Sequence, residues 1–300
     1  MTQNFPHFLV WGSKGFVGTK ALGYFSNLGD CDSVARNKSG NLDYFSAKAG
    51  ASYNVPNSDE GIRQILSITS ARVILNTAAV ADIDLCARYP TEARDSNIDL
   101  PTKLALYSRK FGKKFIHLST DAVFGQNGFM YSENMMPNPI SIYGKMKLES
   151  ELAVSSVNPD ALIIRTRPFG NDPKGKNLFN FFANHLKSNQ SVEGYTNSYF
   201  TPIHVGDLIN SINSLARDDV SGKWHIAGSE RISKYQFGAM ISRHLNVDPK
   251  LVLPKEYEMT DNESARGLDT SLDTQKFVTN YGAVNSLNSG IVASIKELIP

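Results

Sequence analysis

Phe8-Leu9-Val10-Trp11-Gly12-Ser13-Lys14-Gly15-Phe16-Val17-Gly18-Thr19-Lys20-Ala21-Leu22-Gly23-Tyr24-Phe25 is the stretch from which the fold is read. Its first four residues form an unbroken apolar run, the pattern of a parallel strand covered on both faces. Gly12, Gly15 and Gly18 follow at three-residue intervals, and Ala21, Leu22 and Phe25 then recur at helical spacing. Strand, glycine turn and helix in that order are the context of a dinucleotide fingerprint. The glycines let the backbone approach a pyrophosphate, while the helix start offers free N–H groups and the positive end of its dipole. The spacing here is G-x-x-G-x-x-G instead of G-x-G-x-x-G. Three glycines also occur in ordinary loops, so it is the flanking strand and helix that point to a nucleotide.

Working outward, apolar runs recur at Ser33–Ala35, Ser52–Val55, Val73–Asn76, Lys114–Leu118 and Ala161–Arg165. Helical patterns lie between them, clearest from Thr91 to Phe111 and from Ser141 to Val154. This alternation predicts an α/β fold, a doubly wound (Rossmann) parallel sheet. After Arg165 the rhythm loosens, and Asn171-Asp172-Pro173-Lys174-Gly175-Lys176 reads as a polar loop. The expected organisation is a dinucleotide-binding domain over 1–165, to which part of 200–228 returns. A smaller lobe over 166–300 is then expected to be mainly substrate-binding.

Composition narrows the function classes. With 300 residues, 41% of them hydrophobic, the chain can bury a sizeable core. A formal charge of +2 is too small to imply a nucleic-acid or membrane partner. No apolar run approaches membrane-spanning length, and Met1-Thr2-Gln3-Asn4 does not read as a signal peptide. Cys31 and Cys86 are the only cysteines and suit neither a disulfide framework nor a zinc site. A reducing, cytoplasmic compartment and no metal are therefore expected.

Tyr143-Gly144-Lys145-Met146-Lys147 carries the chemistry. Positions four apart share a helix face, so the Lys147 ammonium can sit beneath the Tyr143 hydroxyl. A nearby positive charge favours the phenolate and draws tyrosine down from its usual pKa of about 10. Tyr143 then becomes a usable proton donor to a carbonyl oxygen. The same spacing occurs by chance on exposed helices, and it gains weight only alongside the glycine turn. Cofactor choice is read further along: Ser33-Val34-Ala35 runs into Arg36-Asn37-Lys38, with no carboxylate at the strand's end and Asp32 back at its start. A guanidinium makes a forked, charge-assisted contact with a 2′-phosphate, and Lys38 adds a second charge. NADP (NADPH) is the expected cofactor, with NAD the alternative.

Taken in order, the motifs resemble the extended short-chain dehydrogenase/reductases, and within them the dTDP-4-dehydrorhamnose reductase family, nearly end to end. Gly12 through Gly18 matches the cofactor loop, Asn76-Thr77-Ala78-Ala79 the turn after the fourth predicted strand, and Asn97-Ile98 the helix asparagine. Ser119-Thr120-Asp121-Ala122-Val123-Phe124-Gly125 matches S-T-D-x-V-F, and Thr201 through Leu208 the T-P-I-x-V-x-D-L stretch. Arg266 with Leu272-Asp273 and Lys276 keeps the C-terminal spacing, with Gly267 where proline is usual. Asn54 stands where many relatives carry an aspartate facing the adenine.

The resemblance implies hydride delivery from a nicotinamide to C4 of a nucleotide-linked 4-keto-6-deoxyhexose. Tyr143 would be the general acid, Lys147 would lower its pKa and hold the nicotinamide ribose, and Thr120 would orient the carbonyl oxygen. The implied cofactor contacts are Gly12, Lys14, Gly15, Phe16, Val17, Gly18, Asn54, Asn76, Ala78, Ala79, Ser119 and Pro168, besides Tyr143, Lys147 and the Arg36 and Lys38 already read. Asp121, Val123, Phe124, Asn177 and Arg266 would meet the substrate, and a homodimer is the family's expectation. His117, His204 and Arg165 read as structural. A 4,6-dehydratase is disfavoured because Ala122 follows Thr120-Asp121 where dehydratases carry glutamate. A sugar-nucleotide epimerase, or a non-catalytic regulatory subunit on the same fold, stays open.

Overall fold

The computed structural model describes residues 5–125, 128–259 and 265–298. Two compact units divide the chain. One comprises Met1–Ser119, Lys145–Ile164 and Ile209–Lys223; the other comprises Thr120–Gly144, Arg165–Leu208 and Trp224–Pro300.

Strands β1 (Phe8–Trp11), β2 (Cys31–Arg36), β3 (Leu42–Ser46), β4 (Ala51–Val55), β5 (Val73–Asn76), β6 (Lys114–Leu118) and β7 (Leu162–Arg165) join a strand at Gly222–His225 in one sheet. Among the described residues this sheet has eight strands, ordered Gly222–His225, β7, β6, β5, β1, β2, β3, β4. Pairing is parallel from β2 through β1, β5 and β6 to β7, with Phe8 opposite both Cys31 and Val73. One strand departs from the parallel direction. β3 runs antiparallel to both β2 and β4, so Ser52–Val55 belongs to an edge strand separated from β2 by a hairpin. Asn37 makes the turn: its Oδ1 accepts the backbone N–H of Ser39 at 3.0 Å and of Asn41 at 3.1 Å, an Asx-type turn. Gly40 supplies the left-handed residue, at φ +88°.

Helices α1 (Phe16–Leu28), α2 (Asp59–Ile68), α3 (Ile83–Arg88), α4 (Pro90–Arg94), α5 (Leu100–Lys110) and α6 (Ile142–Val157) follow in the chain. Alternate strand side chains face opposite ways. On one face Leu9, Trp11, Ile74, Phe115 and Ile163 pack with Ile62, Ile65 and Leu66 of α2, Leu104 of α5 and Val154 of α6. On the other, the ring of Phe8 stacks on Phe25 of α1 at 3.7 Å. Both faces are covered, which is why β1 and β5 read as continuous apolar runs. Each such fully buried Leu, Ile or Phe contributes about 1.5–3 kcal/mol.

The long helix expected from Thr91 to Phe111 is interrupted by a π-helical turn at Asp95–Asp99. Asn97, within it, donates from Nδ2 to the Val80 carbonyl at 3.0 Å and accepts the Val80 N–H at 2.9 Å. The extra residue turns a polar side chain inward to hold the loop after β5, a frequent use of such bulges.

The second unit has its own core. Phe169, Phe200, Phe237, Ile241 and Ile291 pack with Phe179, Phe182 and Leu186 of α7 (Leu178–Lys187). It also contains the beginning of α8 (Val205–Arg217), and α9 (Lys234–His244). α9 starts with a reciprocal capping box between Ser233 and Gln236. Among the described residues, no helix is long and apolar enough to cross a membrane.

Candidate active site

The glycine turn is close-packed backbone. Gly12 sits at φ +91°, and a Cβ there would lie 2.6 Å from the Ala78 nitrogen. A Cβ on Gly18 would fall 2.2 Å from the Gly12 carbonyl oxygen. Thr77 clamps this contact, its Oγ1 donating to the Trp11 carbonyl at 2.9 Å, a tertiary contact that no local sequence pattern marks. Gly15 is the N-cap of α1, no side chain caps that helix, and its first turn carries no acidic residue. Phe16 and Val17 are half-buried in that turn. An uncapped N-terminus beside a turn with no room for side chains suits the phosphates of a dinucleotide.

At the end of β2, Arg36 and Lys38 are both exposed. The antiparallel hairpin brings Asp43 opposite Ala35, so a carboxylate does stand beside this strand end, supplied by its neighbour. Asn37 donates to it at 2.9 Å and Lys14 pairs with it at 3.1 Å. Those two contacts hold the Asp43 carboxyl below its ordinary range. Asn54 is exposed on β4, accepting from Asn41 at 3.1 Å and contacting Asp43 at 3.4 Å. Asp32, at the start of β2, is fully buried. Burial would raise its pKa, but bonds from His7, Thr69, Ala47 and Tyr44 outweigh burial and lower it.

Lys147 is only 1% exposed. It points to the end of β6, where Nζ donates to the Leu118 carbonyl at 2.7 Å and lies 3.1 Å from His117 Nε2. Burial pushes this lysine down to about 8, against the opposing charge of Glu151. His117 Nε2 is also 3.2 Å from Ser150 Oγ, and its Nδ1 is 3.1 Å from Asn76 Nδ2. Ser119 donates to Glu151 at 2.5 Å. Asn76 and Ser119 thus spend these bonds on the protein interior, while Ala78 is half-buried and Ala79 exposed.

Tyr143 lies one turn before Lys147 on α6 and is largely buried. Gly144 allows this placement, since a Cβ there would be 2.2 Å from the Ala122 carbonyl. The helix start therefore packs directly on the turn that follows Thr120. Thr120 caps that turn, accepting from the Ala122 N–H at 3.2 Å and donating to Asp121 Oδ1 at 3.1 Å.

Asp121, also buried, accepts from Thr270 at 2.6 Å and lies 3.6 Å from the Arg167 guanidinium. Half-buried Lys234 feels Arg167 and Arg266 as well as Asp121. Burial first, then those two cations, push it down to about 7, with Asp121 opposing. Sequence reading missed Arg167 and Lys234, because no local spacing marks them as neighbours of Asp121.

Val123 and Phe124 are core residues: Phe124 stacks on Tyr131 at 4.3 Å beneath the Arg165 guanidinium. Pro168 is half-buried in a short strand opposite Ile203. Asn177 caps α7, accepting the Asn180 N–H at 2.9 Å and donating to the Gly170 carbonyl at 2.9 Å.

The family model described as RmlD substrate binding domain matches residues 7–299. A probable low-salt glycan biosynthesis reductase of Haloferax volcanii is 32% identical over 228 residues, 74% of this chain and 76% of that protein. Methionine adenosyltransferase 2 subunit beta of Bos taurus is 27% identical over 64% of this chain, a match spanning 60% of that protein. Among solved structures, dTDP-4-dehydrorhamnose reductase of Bacillus anthracis in complex with NADP superposes with a TM-score of 0.81 at 21% identity. That match covers 97% of this chain and 99% of the other.

Proposed function

The chain belongs to the RmlD substrate binding domain family, and from that premise we propose that it is an NADPH-dependent reductase of the 4-keto group of a nucleotide-linked 4-keto-6-deoxyhexose. One observation carries the reading: Tyr143 and Lys147 stand one turn apart on α6, and the lysine is a buried amine titrating near 8. A tyrosine so placed matches the proton donor that ketone reduction requires.

Gly12, Gly15, Gly18 and the start of α1 would hold the pyrophosphate of the dinucleotide, with Arg36 and Lys38 on its 2′-phosphate. When bound, the nicotinamide supplies the hydride that enters the carbonyl carbon. Negative charge then builds on the carbonyl oxygen, and a preorganised donor aimed at that oxygen lowers the barrier. Tyr143 Oη gives it a proton. Lys147, charged below its pKa, favours the phenolate that Tyr143 becomes. Thr120 Oγ1 would turn from Asp121 toward the same oxygen and orient it. Arg167, Lys234 and Arg266 would bind the substrate's diphosphate, the lysine weakening as pH rises through about 7.

Consumption of NADPH against a panel of nucleotide-linked 4-keto-6-deoxy sugars tests the reading, with the product hydroxyl identified by NMR. Stoichiometric oxidation and a new C4 hydroxyl are expected. Interconversion of sugars without net oxidation would replace the proposal with an epimerase, and binding without turnover would replace it with a regulatory subunit.

A further inference from the structure

The environment of Lys147 contains a group whose role the reaction outlined above does not use. His117 is buried on β6 with bonding partners at both ring nitrogens, and those partners decide which nitrogen carries the proton. Asn76 is oriented by the Ala78 N–H, which reaches its Oδ1 at 3.1 Å. Its Nδ2 is therefore the atom that faces His117 Nδ1 at 3.1 Å. An amide N–H donates, so Nδ1 must accept, and the proton of the neutral ring resides on Nε2. Burial, and the nearby Lys147 charge, hold His117 well below the ordinary histidine range, so the ring is neutral at working pH.

Nε2 has two neighbours, Ser150 Oγ at 3.2 Å and Lys147 Nζ at 3.1 Å. An ammonium is donor-only. Set against a ring N–H, it meets a second donor, whereas a neutral amine would offer that N–H a lone pair. We infer that His117, locked by Asn76 as the Nε2–H tautomer, is a positioning residue that biases Lys147 toward its uncharged amine.

The groups around the lysine divide in two. On β6 they are His117 and the Leu118 carbonyl, the latter serving either protonation state at 2.7 Å. On α6 they are Tyr143, Ser150 and Glu151, and the Glu151 carboxylate, held by Ser119 at 2.5 Å, favours the ammonium. Burial and His117 act against it. The balance brings the charge change of Lys147 down to about pH 8. If Lys147 serves Tyr143 as proposed above, its electrostatic help is present below that midpoint and fades above it.

Two substitutions move the balance in opposite directions. In Ser150→Ala the Nε2–H keeps only the amine as acceptor, and the Lys147 midpoint should fall. In His117→Gln the side-chain carbonyl can face Nζ, and the midpoint should rise. Each shift should be about one pH unit, tenfold in the protonation equilibrium. The readout is the 13C shift of the Lys147 Cε in cofactor-free full-length protein, assigned as the signal absent from Lys147→Met. The wild type should titrate near 8.

The alkaline limb of kcat should move with these midpoints. Unmoved midpoints in both variants, or shifts of reversed sign, would overturn the inference. If His117→Gln fails to fold, the Ser150→Ala titration decides alone. The NMR titration needs no turnover, so it stands whether or not the reductase reading does.

Discussion

Gly18→Ala and Gly23→Ala make the same chemical change on the same helix, five residues apart, and should have different effects. Gly23 is exposed, and a Cβ there meets nothing within 4 Å. Alanine in a helix interior is favoured over glycine by about 1 kcal/mol, so Gly23→Ala should stabilise the protein by about that amount. A Cβ on Gly18 would instead stand 2.2 Å from the Gly12 carbonyl oxygen and 2.7 Å from Thr77 Oγ1. Ordinary contact needs about 3.5 Å, so the helix start and the glycine turn must separate by roughly 1 Å.

The atom in the way is backbone, which cannot rotate aside. Overpacking of this kind costs about 1–3 kcal/mol, which cancels or exceeds the helical gain. Gly18→Ala should therefore lie about 1–3 kcal/mol below Gly23→Ala in stability. Nucleotide binding should suffer more, because the displaced turn is the proposed phosphate cradle: a Kd for NADPH at least about tenfold weaker, or 1.4 kcal/mol, is expected. Urea denaturation with fluorescence titration of NADPH measures both. Equal stability and equal affinity in the two variants would refute the packing argument and the placement of the cofactor phosphates together.

Three other outcomes follow from the same structure. Tyr143→Phe should cut kcat by about 10²–10⁴ while leaving NADPH affinity nearly unchanged, and steady-state kinetics with a titration of the cofactor will show both. Arg36→Ala should lower the ratio of kcat/KM for NADPH over NADH, and Asp43→Asn should raise it by removing the carboxylate that β3 sets opposite Ala35 at the end of β2. Lys147 titrates near 8 folded against an ordinary 10.5, so the cost of burying its charge is full below pH 8. The wild type should then gain stability relative to Lys147→Met as pH rises from 8 toward 10.5, by at most about 1.4 kcal/mol per unit. Denaturation of both proteins across that range tests the sign.

Much of the sheet was legible because its strands are buried on both faces. β1, β5 and β6 are unbroken apolar or nearly apolar runs, and their bounds coincide with the sequence reading. β3 was not legible, since Leu42-Asp43-Tyr44-Phe45-Ser46 alternates buried and more exposed residues as an antiparallel strand does, and its existence rests on the turn made by Asn37. The π-helical turn was hidden for another reason: it shifts the helical phase by a single residue, which periodicity over one or two turns does not register. At the candidate site, spacing marked Tyr143 and Lys147 because both lie on one helix. It could not reveal that His117, thirty positions before Lys147, aims its ring at the amine. Nor could it show that Phe124 spends its ring on Tyr131 and Arg165, or that Asn177 spends its amide on capping α7. Local pattern encodes periodicity and turn chemistry, whereas these partners are chosen by the tertiary arrangement of strands.

Hydride transfer itself is the most direct test of the central claim. NADPH carrying deuterium at the transferring C4 position should be incubated with a nucleotide-linked 4-keto-6-deoxyhexose, and the sugar product examined by NMR and mass spectrometry. The account predicts one deuterium at sugar C4 with a single configuration, appearing in step with oxidation of the cofactor and strongly slowed in Tyr143→Phe. Product that carries no deuterium, or a full sugar panel left unreduced by protein that binds NADPH, would contradict it.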